Sequence, residues 1–383
     1  MRRFCRMLLI ILGVLLLFPV FAIATEDLGS EQIEALNLPS VVDSFNKNGE
    51  QIIPDFNPNK LIEEISKGNL NFDSKSIFNK AIYFFTKEIN ENLIIIIKII
   101  LVGILCAIFK NLQDNLGGNT GEIAFYACYL LMVSFIIVGF RNSIEIGQKA
   151  IFDMVGFMQA LVPVLISLLV STGNAASSTA LYPIIILVIE VASSILGSIM
   201  VPAVFLIAIL SIISNISDKV QISKLAGFIK TISTWGMGFV LTVFVGVITI
   251  EANLAATIDG VAGKTAKFAF SKSIPIVGQV LSDAVETVMG CSLVIKNSIG
   301  VVGTILILSI VLVPLIKILA ITLIYKFAAV LIEPVADARM VRCINDIGGT
   351  LTLLFSIVVS VSFMFIIAIT TLIKTGSIAA MIR

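Results

Sequence analysis

The chain has no histidine, and only 13% of its 383 residues are charged. A soluble domain carries about a quarter charged residues, so there is too little polar surface here to cover a water-facing globule. The missing histidine removes the usual general base and the commonest metal ligand. Cysteine is scarce as well: five are present, and no two have the spacing of a metal or redox pair. Cys5 lies near the N-terminus, Cys106 and Cys128 lie in apolar runs, and Cys291 and Cys343 stand alone, so packing is their expected role. Charge of one sign is not in excess, with 26 basic against 25 acidic side chains. No basic face for nucleic acid follows from that balance. These shortages exclude a soluble enzyme. What the chain has instead is 58% hydrophobic residues and a mean hydropathy of +1.06. The fold class expected is an all-α, polytopic membrane helix bundle, because lipid cannot satisfy the backbone groups of anything more open than a helix.

The N-terminus reads as a signal peptide over residues 1–24. Arg2, Arg3 and Arg6 precede an apolar run at 7–18, Pro19 follows, and Ala22-Ile23-Ala24 offers small residues for cleavage after Ala24. The run is too short for a stable crossing, which needs about 20 residues; an uncleaved anchor is the other reading. Residues 25–92 form an extracytoplasmic polar arm. Its stretch 25–90 holds 11 acidic residues and 6 lysines. The arm is loop-like through Asn59, with a short helix from Asn57-Pro58 to Gly68. From Ser74, the residues Ile77, Phe78, Ala81, Ile82, Phe85 and Ile89 recur at helical spacing, opposite Lys75, Lys80, Lys87 and Glu88. This pattern predicts an amphipathic helix at the membrane surface.

The rest, 93–383, is expected to be the multi-pass transmembrane domain. Apolar runs fall at 93–109, 123–140, 151–170, 181–213, 225–250, 299–325 and 351–373. The fourth has Pro183 near its start and Pro202 inside, and could be two short helices or one long kinked one. The count is therefore seven or eight crossings. Lysine and arginine lie in loops that either arrangement would place on both sides, so the positive-inside rule does not fix the orientation.

Ionisable residues inside apolar runs are costly and mark functional hypotheses. Lys98 and Lys317 lie near the ends of their runs, and their long stems can reach the interface. Glu190 has a short stem and apolar neighbours for two turns on each side. It should face other helices, as a structural hydrogen-bonding group or as part of a conducting or substrate-coupled site. Ser193 with Gly197, Gly156 with Ala160, and Thr242 with Gly246 have the small-residue spacing of close helix packing. The stretch Gly260-Val261-Ala262-Gly263-Lys264-Thr265 imitates a nucleotide loop, but Ile258 stands where the loop needs glycine. It reads as a flexible polar loop.

The segment 259–298 is amphipathic. Val277, Val280, Leu281, Ala284, Val285, Val288 and Met289 share one helical face, and Gln279, Ser282, Asp283 and Glu286 the other. Pro275 precedes this helix, Gly290 interrupts it, and Lys296-Asn297 marks the start of the next span. A docking or re-entrant helix is the role expected, with Pro275, Gly278, Leu281, Asp283, Val285, Gly290, Lys296 and Asn297 as its candidate residues.

Here the chain resembles the stage III sporulation protein AE family of endospore-forming bacteria. The resemblance rests on Asp259-Gly260, Lys264, Lys267-Phe268, Ile274-Pro275-Ile276-Val277-Gly278, Leu281-Ser282-Asp283-Ala284, Gly290-Cys291-Ser292 and Lys296-Asn297. The order of signal peptide, polar arm and spans agrees too. The resemblance implies a non-enzymatic component of a channel or secretion-like apparatus, in the mother-cell membrane surrounding the forespore. The implied partners are membrane lipid and the other stage III proteins, among them a cytoplasmic ATPase, ring-forming single-span proteins and a forespore-side partner. No catalytic, cofactor or metal residues carry over, and no nucleic acid is implied. The competing reading is a self-sufficient secondary transporter, for which Glu190 and the proline-broken helices at Pro183, Pro202 and Pro314 would serve midplane ion coupling.

Overall fold

The computed structural model describes residues 74–116, 120–172, 174–216, 222–273 and 277–382. The signal peptide, the arm before Ser74, and Pro275 lie outside the described residues. Seven α-helices follow one another: α1 Ser74–Leu116, α2 Thr120–Ser171, α3 Ala175–Ser194, α4 Val201–Ile216, α5 Ser223–Ser273, α6 Val277–Ile332 and α7 Ala338–Ile382. A π-helical segment, Ile195–Met200, joins α3 to α4 without a break. No strand occurs among the described residues. Among the described residues, six of the resulting rods are long and apolar enough to cross a membrane.

Six is fewer than hydropathy led one to expect, and α2 gives the first reason. Its two apolar runs are bridged by a charged stretch, Arg141 to Lys149, that stays helical. Ser143, Gly147, Ala150, Met154 and Met158 recur at helical spacing and are all buried, while Arg141, Glu145 and Lys149 point away from the bundle. Hydropathy averages over all sides of a helix and so reads a gap where only one side is polar. α2 thus has 52 residues, about 78 Å at 1.5 Å per residue.

The second reason is the run at 181–213, which forms a single rod. Proline removes an N–H and pushes its ring against the carbonyl four residues earlier. The π-helical turn lies immediately before Pro202, where a widened turn accommodates that missing bond and the axis continues. α1 likewise passes from its amphipathic start into its apolar run as one 43-residue helix. The stretch from Ser74 is therefore continuous with a crossing rather than a separate helix on the membrane surface, since no proline or glycine stands between Lys80 and Val102 to turn it. The stretch 260–265, expected to be a flexible loop, lies inside α5. Its surroundings carry alanine at 252, 255, 256, 262, 266 and 269, and alanine is the strongest helix former.

α7 is the axis of the molecule. It packs against α6, α5, α2 and α4, while α1 lies on α2 and α6. Ile344, Ile347, Leu351, Leu354, Val358, Val361 and Phe365 of α7 are fully buried. Its buried Thr350, Ser356 and Ser360 return their hydroxyl protons to the carbonyls of Asp346, Thr352 and Ser356, at 2.8–2.9 Å. A self-satisfied hydroxyl is small and asks nothing of a neighbour, which lets helices approach where no hydrophobic drive exists between them. Two tyrosines tie the rods laterally. Tyr129 of α2 donates to the carbonyl of Ile212 at 2.7 Å, and Tyr325 of α6 to that of Ile136 at 2.9 Å. Gly139 makes room for the second: a Cβ there would collide with the Tyr325 hydroxyl. The expected packing role of cysteine holds for Cys106, Cys128 and Cys343, which are buried and form no disulfide.

Of the three small-residue pairs, one lies at a helix contact. A Cβ on Gly197 would stand 3.2 Å from Ile151, and Ser193 beside it is buried. Gly156 and Gly246 have nothing within 4 Å of that position, so neither glycine is at a close helix contact.

Candidate functional site

Glu190 finds a partner, but outside the protomer core. The Gln159 side chain of α2 donates to Glu190 Oε2 at 2.9 Å, and both residues are exposed. This corrects the expectation that a short-stemmed acid would be turned inward. The cause is packing: the inward positions of α3 belong to Ile185, Ile189, Ala192 and Ser193, which puts residue 190 on the opposite side.

The pair belongs to a longer feature. Along the outer face of α2 run Arg141, Glu145, Lys149, Gly156 and Gln159, all exposed, with Asp153 half-buried among them. Ser194 and Ser198, exposed below Glu190, continue it onto the neighbouring rod. Arg141 and Glu145 form an ion pair at 2.8 Å. The height of this face can be read from contacts across the bundle. Ile151 of α2 meets Gly197, and Met200, one turn on, meets Gly236 of α5. At that level α5 presents Trp235, 77% exposed, and Phe239, 70% exposed. One side of the molecule is aromatic and apolar at this level, and the other carries Lys149 and Asp153 beside the exposed Phe152.

The amphipathic segment 277–298 is the N-terminal part of α6, a single helix of 56 residues. The side chains of Gly278, Leu281, Asp283 and Val285 lie outside the described residues. Gly290 is exposed and does not interrupt the helix, because glycine costs a helix interior only about 1 kcal/mol against alanine. Lys296 does not mark a polar start to the span. It is 1% exposed, and its ammonium donates to the carbonyl of Ile373 at 2.9 Å and of Leu372 at 3.4 Å. The stem crosses from α6 to α7 and neutralises helix carbonyls there. Beside it, the Oδ1 of Asn297 is buried with no hydrogen-bond partner. Lys98, in contrast, is exposed and lies over the Phe135 ring, 5.2 Å from its centroid. Lys317 is half-buried.

Sequence reading missed a polar cavity of about 430 Å³ at the end of the bundle where α4 stops and α5 and α7 begin. Ser211, Asn215, Lys230, Arg342, Asp346 and Thr350 are among its lining residues. Asn215 donates to Asp346 Oδ2 at 3.1 Å and to the carbonyl of Ser211 at 2.8 Å. Lys326 of α6 approaches α7 nearby but is not among the lining residues. Both lysines reach over Gly348-Gly349 of α7. A Cβ on Gly349 would stand 3.0 Å from Lys230 Nζ, and one on Gly348 would stand 3.1 Å from Lys326 Cγ. The signal available in the sequence was that glycine pair inside an otherwise strong helix.

Among the described residues, six membrane-length helices, five of them around the buried central rod α7, define a multi-pass, all-helical membrane protein. The sequence pattern of the stage III sporulation protein AE family matches residues 56–376. The chain belongs to that family. It is similar to the stage III sporulation protein AE of Bacillus subtilis (strain 168), with 29% identity over 333 residues that cover 87% of this chain and 83% of the relative. No solved structure matches.

Proposed function

We propose that this protein is a non-enzymatic integral membrane component of a channel or secretion-like complex linking mother cell and forespore. The observation that carries the proposal is the polar outer face of α2 with its Glu190–Gln159 pair. Charged side chains at bilayer depth sit against protein or water, because hydrocarbon penalises them by about 2.5–3.5 kcal/mol each or more. Beyond the Glu190–Gln159 pair, the described residues of one protomer leave Arg141, Glu145 and Lys149 exposed. A neighbouring subunit or an aqueous lumen must cover this face, and a member of a multiprotein channel supplies both. On this reading the other stage III proteins are the partners, including the cytoplasmic ATPase and the ring-forming single-span proteins, and the membrane is the mother cell's around the forespore.

A self-sufficient transporter would instead enclose its coupling acid between its own helices, and the outward position of Glu190 favours assembly over that alternative. Deletion of the gene in a spore-forming host should abolish heat-resistant spores after engulfment, and normal spore counts would refute the sporulation role. Gradient-driven uptake by the purified chain alone in liposomes would establish the transporter.

Orientation follows from the same reading. Cleavage after Ala24 leaves the arm outside the cytoplasm, and six crossings return the end of α7 to that side. Reporters at Asn215 and Arg339 should then be cytoplasmic, and one at Lys264 external. The reverse pattern would overturn the leader assignment.

A further inference from the structure

The chain's single tryptophan stands where an indole is hard to place. Trp235 lies near the middle of the membrane-length stretch Ser223–Leu254 of α5 and is 77% exposed. Indoles of membrane proteins gather at the two interfaces, where the ring has apolar surroundings and the N–H meets water. In mid-span, hydrocarbon supplies no acceptor for that N–H, and among the described residues the protomer supplies none either. Lys149 and Asp153 of α2 have the converse problem. They lie near the middle of Phe125–Ser171, and among the described residues their side chains enter no hydrogen bond or ion pair. Each face lacks what the other holds: a carboxylate for the indole N–H, and aromatic rings for the ammonium.

Height decides whether the two faces can meet. Copies of one chain share one orientation and one depth in a membrane, so a ring about the membrane normal joins residues of equal height. The contacts Ile151–Gly197 and Met200–Gly236 put residues 149–153 of α2 level with 235–239 of α5, to within about one helical turn. Both helices pack on α7, and the α3–α4 rod touches each of them, which separates the two faces around the bundle. Neither face resists a close approach. Beside Trp235, Thr234 and Thr242 return their hydroxyl protons to carbonyls of their own helix at 2.8 Å, and Gly238 has open space at its Cβ position. Gly156 of α2 is equally open. Small, self-satisfied surfaces of this kind let membrane helices come together.

We infer that a second copy of this chain covers the polar face, with α5 of one protomer docked on α2 of the next. The Trp235 indole donates to Asp153 of the neighbouring copy, and the Lys149 ammonium lies over the rings of Trp235 and Phe239. The two patches differ, so the contact is head-to-tail, and its repetition closes a ring or extends a row of protomers. A twofold pairing of α2 with α2 would instead set Lys149 and Asp153 against their own like charges. The inference rests on the assembly role proposed above and identifies the neighbouring subunit as the chain itself.

The test uses the full chain, purified and reconstituted at graded protein-to-lipid ratios in phosphatidylcholine brominated at mid-chain. Bromine quenches a lipid-exposed indole, and the chain has one tryptophan to report. The expected result is full quenching at high dilution and protection as protein density rises. Lys149→Gln and Asp153→Asn should each raise the density for half protection about tenfold, the effect of one cation–π or charge-assisted contact. Neither residue belongs to the buried core, so both variants should fold. In the same liposomes, oxidation of the double variant Phe152→Cys with Phe239→Cys should give a ladder of crosslinked multimers. Either single variant should crosslink no more than the wild-type chain. Equal quenching at every density, protection that neither substitution shifts, or dimers from a single variant would each overturn the inference. Such a failure leaves the sporulation role intact if deletion of the gene still abolishes heat-resistant spores. Normal spore counts beside a crosslinked ladder would remove that role and keep the contact.

Discussion

Alanine at Gly139 should destabilise the protein, and removal of a hydroxyl on another helix should reverse the sign of that effect. The Tyr325 hydroxyl donates to the carbonyl of Ile136 at 2.9 Å and occupies the space where a Cβ on residue 139 would be. In the wild-type background, Gly139→Ala forces Tyr325 off its bond. Overpacking costs about 1–3 kcal/mol, and the lost hydrogen bond about 0.5–1.5 kcal/mol more. The better helix propensity of alanine returns only roughly 0.5–1 kcal/mol, so the net is a loss of about 1–3 kcal/mol. Tyr325→Phe alone loses the hydrogen bond. With the hydroxyl gone, the nearest atoms to the new methyl are Tyr325 Cζ at 3.4 Å and Ile95 Cδ1 at 3.5 Å, which is ordinary contact. Gly139→Ala in the Tyr325→Phe background should therefore be neutral or stabilising by up to about 1 kcal/mol. The four proteins would be compared by unfolding in mixed micelles titrated with SDS. The coupling expected lies in the 0.5–3 kcal/mol range typical of touching residues, at its upper end. Equal effects of Gly139→Ala in both backgrounds would refute the contact between α2 and α6.

Lys296→Ala should cost about 2–5 kcal/mol, since it empties a buried site, whereas Lys296→Met keeps the stem without the charge and should leave unfolding unchanged or later; a harmless alanine would show that the residue is not buried against α7. Glu190→Gln should be tolerated, because the amide still hydrogen-bonds Gln159, while Glu190→Leu should impair assembly and sporulation yet leave the isolated protomer folded. Wild-type spore counts for the leucine variant would remove any role for the pair. On α6, Val285→Asp should disrupt membrane seating or partner capture and Glu286→Gln should be much milder, read by sporulation and by co-purification with the other stage III proteins. Equal, near-normal behaviour of both would mean that this stretch docks nothing.

Composition alone determined that this is a helical membrane protein. Without histidine and with few charges, a chain of this hydropathy has no soluble alternative, and helices are the form in which its backbone can cross lipid. The residues 259–303 carried the family as well, since a string of short motifs in order survives where side-chain contacts are unknown. The sequence could not say on which side of a helix a polar residue would matter. Arg141, Glu145 and Lys149 look like a break between two spans until Ser143, Gly147 and Ala150 are seen buried behind them. Glu190 and Lys296 exchange their expected places for the same reason. The inward face of a rod is set by its neighbours: Lys296 is turned inward and its ammonium donates to carbonyls of the next helix, while Glu190 lies on an outward face and accepts from Gln159 there. The cavity was the least legible feature of all. Asn215, Lys230 and Asp346 come from three helices, and their residue numbers lie far apart. Only the packing of α4 and α5 against the start of α7 brings them to one cavity.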